Sequence, residues 1–458
     1  MAATVPTTVP TTVPTRARHL ALATLLQVQG GAYADVALHR CLAQAKLSAQ
    51  DAALVTELVY GTVRRQRTLD GLISQLGTRP AEKQPPVLRL VLQLGLYQLR
   101  YLRSIPASAA VNTSVELAKA HGLGQLSKVV NGLLRHYERL TADGADPLLL
   151  PETPTAALGL RHSYPDWIVD LWRQHLGDGE ADQLCHWFNQ VPSLDLRVNR
   201  LQTTVDAVEQ ALAAAGVATE RLPGLPWALR LSQPSGAITD LPGYREGWWA
   251  VQDASAQLVG QMLNPQPGET VIDLCAAPGG KATHLAEMMG DQGTVWACDR
   301  TASRLKKVTR NAARLQLHSL QTHLGDSTEL PQHHGQGDRA LVDAPCSGLG
   351  TLHRHADARW RQTPETIQTL VPQQQALLAE AARCTKPGGT LVYATCTLHP
   401  AENEGVIQAF LQAHPPWKIH PPAVPDIPGL FPAPEGWLKL WPHRQAMDGF
   451  FMVCLRHG

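Results

Sequence analysis

The run Val271-Ile-Asp-Leu-Cys-Ala-Ala-Pro-Gly-Gly-Lys281 constrains this chain more than any other segment. Its apolar start reads as a short buried strand, its glycines as a tight turn, and the residues after Lys281 as a helix opening at that turn. A strand that feeds a helix through a glycine turn is the repeating unit of a parallel α/β sheet, and the neighbouring sequence keeps the same rhythm. Gly293 to Cys298 is a second strand, Ala340 to Asp343 a later one and Gly389 to Tyr393 another, while apolar segments at 436–440 and 449–455 close the chain. Doubly wound sheets of this kind bind ligands beyond the carboxyl ends of their strands. Residues just past those strands are therefore where chemistry is expected.

Small residues at Ala276, Ala277, Gly279 and Gly280, around Pro278, let a ligand come close to the backbone, and the helix amino terminus offers amide protons to an anionic group. The run has neither the six-residue dinucleotide fingerprint nor the Lys-Ser/Thr ending of a phosphate loop, which argues against nicotinamide and nucleoside triphosphates. Asp299 ends the second strand, eighteen residues after Lys281, where an acidic side chain can accept both ribose hydroxyls of an adenosine-bearing cofactor. Asp326 follows His323-Leu-Gly and is placed to meet an adenine amino edge. Two cysteines also fall at strand ends: Cys346 in Asp343-Ala-Pro-Cys346 and Cys396 in Ala394-Thr-Cys-Thr397. Purely structural cysteines sit within apolar strands and helices, the expectation here for Cys298 and Cys454.

The rest of the chain differs in character. Val-Pro-Thr-Thr repeats across Val5 to Thr15, where proline alternates with β-branched residues, so residues 1–15 are expected to be a disordered leader. Ala/Leu-rich segments with helical spacing follow at 16–29, 33–46, 50–76, 85–102, 106–121 and 125–139, which predicts an all-α bundle over 16–140. Residues 16–139 hold sixteen Lys/Arg against seven Asp/Glu, whereas the remainder holds 24 against 32. One arm of the protein is thus suited to a polyanion, with Arg64, Arg65 and Arg67 the densest cationic cluster in it. A Pro/Asp/Thr-rich linker is expected at 141–160, a small α+β domain at 161–254 and the doubly wound α/β domain at 255–458. No apolar run reaches the roughly 20 residues of a membrane span. The eight scattered cysteines suit free thiols in a reducing cytoplasm. Nineteen histidines include the pairs His333–His334 and His353–His355, yet no metal-ligand spacing converges on them, so no metal site is expected.

These motifs resemble those of the bacterial 16S ribosomal RNA cytosine-C5 methyltransferases, a branch of the RNA cytosine-C5 methyltransferase family that carries an antitermination-factor-like helical domain. The resemblance rests on residues 273–281, on Asp-Ala-Pro-Cys-Ser-Gly at 343–348 and on Ala-Thr-Cys-Thr-Leu at 394–398. Leu-Val-Tyr-Gly-Thr-Val-Arg at 58–64 resembles the helical domain, Leu-Arg-Val-Asn at 196–199 the linking domain, and Asp-Gly-Phe-Phe at 448–451 the closing hairpin. It covers residues 16–458 and departs at His353 and Ala356, where Arg and Pro are expected.

The resemblance implies S-adenosylmethionine as cofactor, with Cys275 through Lys281 around its methionine part, Asp299 at the ribose, Asp326 beside the adenine and Asp343 near the transferred group. It implies that Asp343 meets the target cytosine, that Lys281 lies near the thiols, that Cys346 assists and that Cys396 is the nucleophile. The substrate implied is 16S ribosomal RNA, unassembled or partly unfolded, and the protein a cytoplasmic monomer that binds no membrane. The chemistry is coherent: a thiolate added at C6 breaks the aromaticity of cytosine and makes C5 nucleophilic, and cysteine is also able to leave again. A base inside a helix could not offer C6, so unpaired or extruded RNA is required. Strand-end placement does not itself choose between the two thiols. DNA cytosine methylation would promote Cys346, and methylation of another RNA or a non-catalytic RNA-binding scaffold are the other readings.

Overall fold

The computed structural model describes residues 13–232, 236–421 and 426–458. Residues 1–12 of the expected leader lie outside that set, but Val13 to Thr15 already belong to the first helix. Pro14 is tolerated there because the first turn has no intrahelical use for its missing N–H.

The chain divides into two units, the first made of residues up to Asn189 together with Leu352–Arg361. It holds helices α1 (Val13–Gln29), α2 (Ala34–Gln44), α3 (Ala49–Arg64), α4 (Gln66–Leu76), α5 (Pro86–Tyr101), α6 (Ala107–Ala120), α7 (Ser127–Leu140), α8 (Pro154–His162) and α9 (Asp166–Trp187). The single helical stretch expected at 50–76 is broken at Arg65, whose backbone (φ −101°, ψ 13°) ends α3 and starts α4. Helix α5 is buried almost all round, from Leu90 through Gln98, and is the axis of the bundle. Gly61 of the Leu-Val-Tyr-Gly match is needed for packing: a Cβ there would lie 2.0 Å from a ring carbon of Tyr97. Helix α8 begins inside the expected linker, at the Thr153-Pro154 start signal, and α8 and α9 belong to this unit although they fall largely within the span expected for the small α+β domain.

Residues Leu352–Arg361 complete the first unit, although their sequence neighbours belong to the second. Arg359 is fully buried and donates to the carbonyls of Arg64 (3.2 Å) and Ser163 (3.2 Å) and to Asn189 Oδ1 (3.0 Å). Its guanidinium lies 4.1 Å from the ring centroid of Tyr164, and burial lowers its pKa to about 10. His353 and Ala356 are likewise buried, 2% and 0% exposed, whereas His355 between them is exposed.

The second unit spans Gln190–Thr351 and Gln362–Gly458. Its smaller sheet is antiparallel, in the order β2-β3-β1-β4, with strands β1 (Leu194–Val198), β2 (Thr219–Leu222), β3 (Leu225–Leu231) and β4 (Trp249–Val251), and α10 (Val205–Ala214) joins β1 to β2. Then follow α11 (Ala254–Leu263), β5 (Thr270–Asp273), α12 (Gly280–Met288), β6 (Thr294–Asp299), α13 (Ala302–Arg314), β7 (Leu320–Leu324), β8 (Gly337–Asp343) and β9 (Thr385–Thr395). The chain closes with β10 (Trp417–Ile419), β11 (Leu438–Leu440) and β12 (Phe450–His457). The large sheet runs β10-β12-β9-β8-β5-β6-β7, with β11 against β12. Strands β5 to β9 are parallel and β12 is antiparallel to β9. The expected doubly wound architecture is present, and its strand order reverses at β5, whose neighbours are β6 and β8. That reversal opens the crevice in which such sheets bind ligands.

The two sheets share one buried joint. Arg197 of β1 is 1% exposed and donates to both carboxylate oxygens of Glu287 on α12 (2.7 and 3.0 Å), to the Gly280 carbonyl (2.8 Å) and to Thr283 Oγ1 (3.1 Å). It also donates to Gln252 Oε1. Asn199 donates to the carbonyls of Gly247 (3.1 Å) and Leu315 (3.0 Å). The Leu-Arg-Val-Asn segment thereby fixes the start of the helix that carries Lys281.

Candidate active site

Four parallel strands end in polar residues on one edge: β5 at Asp273, β6 at Asp299, β8 at Asp343 and β9 at Thr395, with Cys396 immediately beyond. The loop after β5 is pinned to β6 by the Ala276 amide on the Cys298 carbonyl (3.0 Å). Gly279 turns the chain into α12 with φ +107°, a left-handed conformation that disfavours side chains, and a Cβ there would lie 3.1 Å from Val308 Cα. The turn delivers Lys281 to the centre of the edge. Its Nζ donates to Asp343 Oδ2 at 2.6 Å and lies 5.1 Å from the Phe450 ring centroid. Burial opposes the charge of Lys281, but the neighbouring Asp343, Cys396 and Asp273 outweigh it and hold the ammonium above its ordinary pKa.

These residues open on a cleft of about 230 Å³ lined by Cys275, Asp299, Asp326, Asp343, Cys346 and Cys396 among others. Asp273 behind it is fully buried; one carboxylate oxygen accepts the Cys275 amide (3.2 Å) and the other has no partner. Burial, and then the charge of Asp343, push its pKa up to about 7 against the pull of Lys281. Asp299 accepts the Thr301 amide (2.8 Å) and pairs with Arg304 (3.3 Å), which also donates to the Ala277 carbonyl (2.6 Å). Asp326 accepts from the amide (2.9 Å) and hydroxyl (2.8 Å) of Thr328. S-adenosylmethionine fits this set of groups. An excess of carboxylates and an unpartnered buried oxygen suit a ligand that carries a sulfonium and an ammonium, and Ala276, Ala277, Gly279 and Gly280 leave the wall without bulk.

The thiols of Cys346 and Cys396 meet here, sulfur to sulfur at 3.4 Å. The hydrogen bond to Cys396, and then burial, push the Cys346 thiol well above its ordinary pKa. Backbone bonds fix the partner: the Gly350 amide donates to the Cys396 carbonyl (2.9 Å) and the Gly449 amide to the Gly350 carbonyl (2.8 Å). A Cβ on Gly350 would fall 1.9 Å from the Gly449 oxygen, so this crossing admits only glycine.

Residues 260–456 match the family described as 16S rRNA methyltransferase RsmB/F, residues 15–139 the NusB family, and residues 164–238 the ferredoxin-like domain of RsmF/B-like methyltransferases. The "Probable ribosomal RNA small subunit methyltransferase B" of Synechocystis sp. is 53% identical over 96% of this chain and 99% of its own length. This chain belongs to the RsmB/F family of 16S rRNA methyltransferases. A Bacillus subtilis protein of the same description is 35% identical over 96% of this chain and 98% of that protein. The crystal structure of PH0851 superposes with a TM-score of 0.80 at 27% identity, covering 98% of this chain and 99% of that one. As an RsmB/F enzyme the chain uses S-adenosylmethionine to methylate C5 of cytosine in rRNA through a cysteine adduct. The DNA and non-catalytic readings give way to this one.

Within the RsmB/F fold the second unit brings Cys275–Lys281, Asp299, Asp326, Asp343, Cys346 and Cys396 to one edge. The three arginines of the first unit are placed differently. Arg64 is 8% exposed and donates to the His353 carbonyl (2.9 Å). Arg65 lies 4.8 Å from the Tyr101 ring centroid, and Arg67 pairs with Asp166 (2.6 Å) and donates to the Tyr164 carbonyl (2.5 Å). Their expected role at RNA phosphates is corrected for Arg64, which is inside the fold; Arg65 and Arg67 are half-buried and held by intramolecular partners. A cation-rich segment also needs cations to join its helices, and charge counts do not separate the two uses. Sequence reasoning missed Asp273, Phe450 and Glu402 as parts of the site. Asp273 and Phe450 lay inside motifs already singled out, whereas Glu402 sits in Pro-Ala-Glu-Asn-Glu, which reads as a solvated turn. Among the described residues no group of three potential metal ligands converges and no helix is long and apolar enough to cross a membrane.

Proposed function

We propose that Cys396 attacks C6 of a cytosine in 16S rRNA and that Cys346 resolves the resulting adduct. The contact of the two sulfurs at 3.4 Å, beside the Lys281–Asp343 pair in one cleft, carries this reading. When Cys396 adds, the new S–C6 bond pushes the C5–C6 electron pair toward C5. The bound cofactor supplies an electrophilic methyl to that carbon. Transfer of the C5 proton to water then re-forms the C5–C6 double bond and expels Cys396 as its thiolate, breaking S–C6. Cys346, which keeps its proton, donates a hydrogen bond to the departing Cys396 sulfur and favours that last step. Asp343 is assigned to the amine–N3 edge of the base, where it distinguishes cytosine from uracil, and Lys281, paired with Asp343, is the cation beside the thiols. Residues Cys275 to Lys281 are assigned to the methionine part of the cofactor, Asp299 to the ribose, Asp326 to the adenine and Asp343 to the neighbourhood of the methyl.

The division of labour we infer gives the helical domain over 16–140 to RNA, 161–254 to linking and 255–458 to catalysis. Excess cationic charge supports the first assignment, with phosphate contacts made by residues other than Arg64. Reaching C6 requires an unpaired base, which favours unassembled or partly unfolded 16S rRNA as substrate; a monomeric enzyme in the cytoplasm is part of the same proposal.

The test separates the thiols. Cys396→Ala should form no covalent RNA adduct, because C6 never meets a sulfur. Cys346→Ala should attack and methylate but release slowly, so a protein–RNA band should accumulate on a denaturing gel with its linkage peptide at Cys396. An adduct through Cys346 in the Cys396→Ala protein, with none in the Cys346→Ala protein, would reverse the assignment.

A further inference from the structure

Behind the two thiols lies a carboxylate that the reaction scheme does not use. Glu402 is fully buried, and its oxygens accept from the Ser347 amide (2.8 Å), the Ser347 hydroxyl (2.5 Å), the Thr397 hydroxyl (3.3 Å) and Gln374 Nε2 (3.0 Å). Ser347 directly follows Cys346 and Thr397 directly follows Cys396. Gln374 also donates to the Pro345 carbonyl (3.0 Å), one residue before Cys346. Asn403 acts beside it: it accepts the Thr395 hydroxyl (2.6 Å) and donates to the Thr397 carbonyl (3.0 Å), on either side of Cys396. Tyr393 of β9 closes the set by donating to the Glu402 carbonyl (2.7 Å). Both cysteine loops are thus tied to two consecutive residues that do not line the cleft.

We infer that Glu402 is a positioning residue for the thiol pair, setting the spacing and the direction of the hydrogen bond by which Cys346 assists Cys396. This rests on the assignment of Cys396 as nucleophile and Cys346 as its proton-holding partner. The Ser347 amide and Gln374 Nε2 can only donate to one carboxylate oxygen, and the Ser347 and Thr397 hydroxyls, 2.7 Å from each other, share the other, so these dipoles oppose the burial that raises the pKa of Glu402. Its charge is compensated by dipoles alone and still reaches Cys346. There it adds to the Cys396 hydrogen bond and to burial in keeping that thiol protonated.

Glu402→Gln is the discriminating variant, because an amide can turn its NH₂ toward the Ser347 and Thr397 hydroxyls, which are able to accept, and its oxygen toward the two N–H donors. The fold is then retained while the charge is removed. Full-length protein should keep its affinity for S-adenosylmethionine and its KM for rRNA within about twofold, and lose between about 10- and 100-fold in kcat. The alkaline limb of the kcat profile should move to lower pH, and alkylation of Cys346 by iodoacetamide, mapped by peptide mass, should begin at lower pH. A purely structural residue would change stability and cofactor binding but leave both pH profiles in place. Wild-type kcat and profiles in the Gln variant, or loss of kcat with unmoved profiles, would overturn the inference. If the Gln variant does not bind cofactor, Ser347→Ala decides: a kcat loss with cofactor binding intact supports the inference, and an unchanged kcat overturns it. The Cys396→Ala adduct assay runs in parallel, so an error in the choice of nucleophile appears there and not in the Glu402 profiles.

Discussion

Replacing Arg197 by methionine keeps an aliphatic stem of similar length and removes every N–H donor from a place water does not reach. The guanidinium is 1% exposed and the Glu287 carboxylate it faces is 2% exposed. Both hydrogen bonds to that carboxylate come from Arg197, at 2.7 and 3.0 Å. Removing one partner of such a pair leaves an uncompensated buried charge and costs about 3–5 kcal/mol. At roughly 2–4 °C per kcal/mol for a unit of this size, the melting temperature should fall by on the order of 10 °C. The deficit should depend on pH with a definite sign. Burial already raises the pKa of Glu287 above its ordinary value, and the opposing pull of Arg197 is lost in the variant, so the folded-state pKa rises further. An acid whose folded pKa exceeds its unfolded one keeps its full stability below the unfolded pKa and loses it as pH rises through the folded pKa. Thermal unfolding of the full chain should therefore show the smallest deficit near pH 5 and the largest near pH 8. The double variant Arg197→Met/Glu287→Leu should recover most of the loss at every pH, because a packed apolar pair has no charge to strand. A deficit of the same size at all pH values, or no recovery in the double variant, would refute the reasoning.

Two further predictions concern the cleft and its frame. Asp299→Ala should weaken S-adenosylmethionine binding by roughly 10- to 100-fold, the range of about 1.5–3 kcal/mol for a charge-assisted hydrogen bond, with the fold intact; equal dissociation constants by calorimetry would remove Asp299 from the ribose. Gly350→Ala should abolish turnover and destabilise the fold, since its Cβ would fall 1.9 Å from a backbone oxygen, whereas Gly132→Ala in α7, with nothing within 4 Å, should stabilise by about 0.5–1 kcal/mol; matched thermal unfolding curves check both.

Much of this enzyme is legible because its chemistry sits where periodicity is plainest. Short apolar runs end in Asp273, Asp299, Asp343 and Thr395, and of these strand-ending residues Asp299 and Asp343 line the cleft, with Cys396 one residue beyond the last. The helical bundle is legible for a similar reason, down to the proline and glycine signals between its helices. Breaks that depend on tertiary partners are not. Helices α3 and α4 part at Arg65, where nothing in the local spacing marks a stop. The capture of Leu352–Arg361 by the first unit depends on Arg359 meeting carbonyls at Arg64 and Ser163, residues 295 and 196 positions away. A count of cations placed Arg64 at RNA phosphates, and the partner that takes it inside, the His353 carbonyl, lies 289 residues off.

The supporting carboxylates carry the same lesson one step further, because residue type alone does not say what a buried charge does. Glu287 and Glu402 are both buried within the second unit and both have their pKa raised by burial. Glu287 is cancelled by the Arg197 cation, 90 positions distant, and acts as a fastening between the two sheets. Glu402 meets Ser347, 55 positions distant, along with Thr397 and Gln374, all neutral. Dipoles satisfy a carboxylate without neutralising it, so the field of Glu402 persists at Cys346 while that of Glu287 is quenched where it arises. A cation in place of Gln374 would hold the loops as firmly and leave Cys346 more acidic. The choice of neutral partners lets one residue hold both cysteine loops while its field, with burial and the Cys396 contact, raises the pKa of the Cys346 thiol.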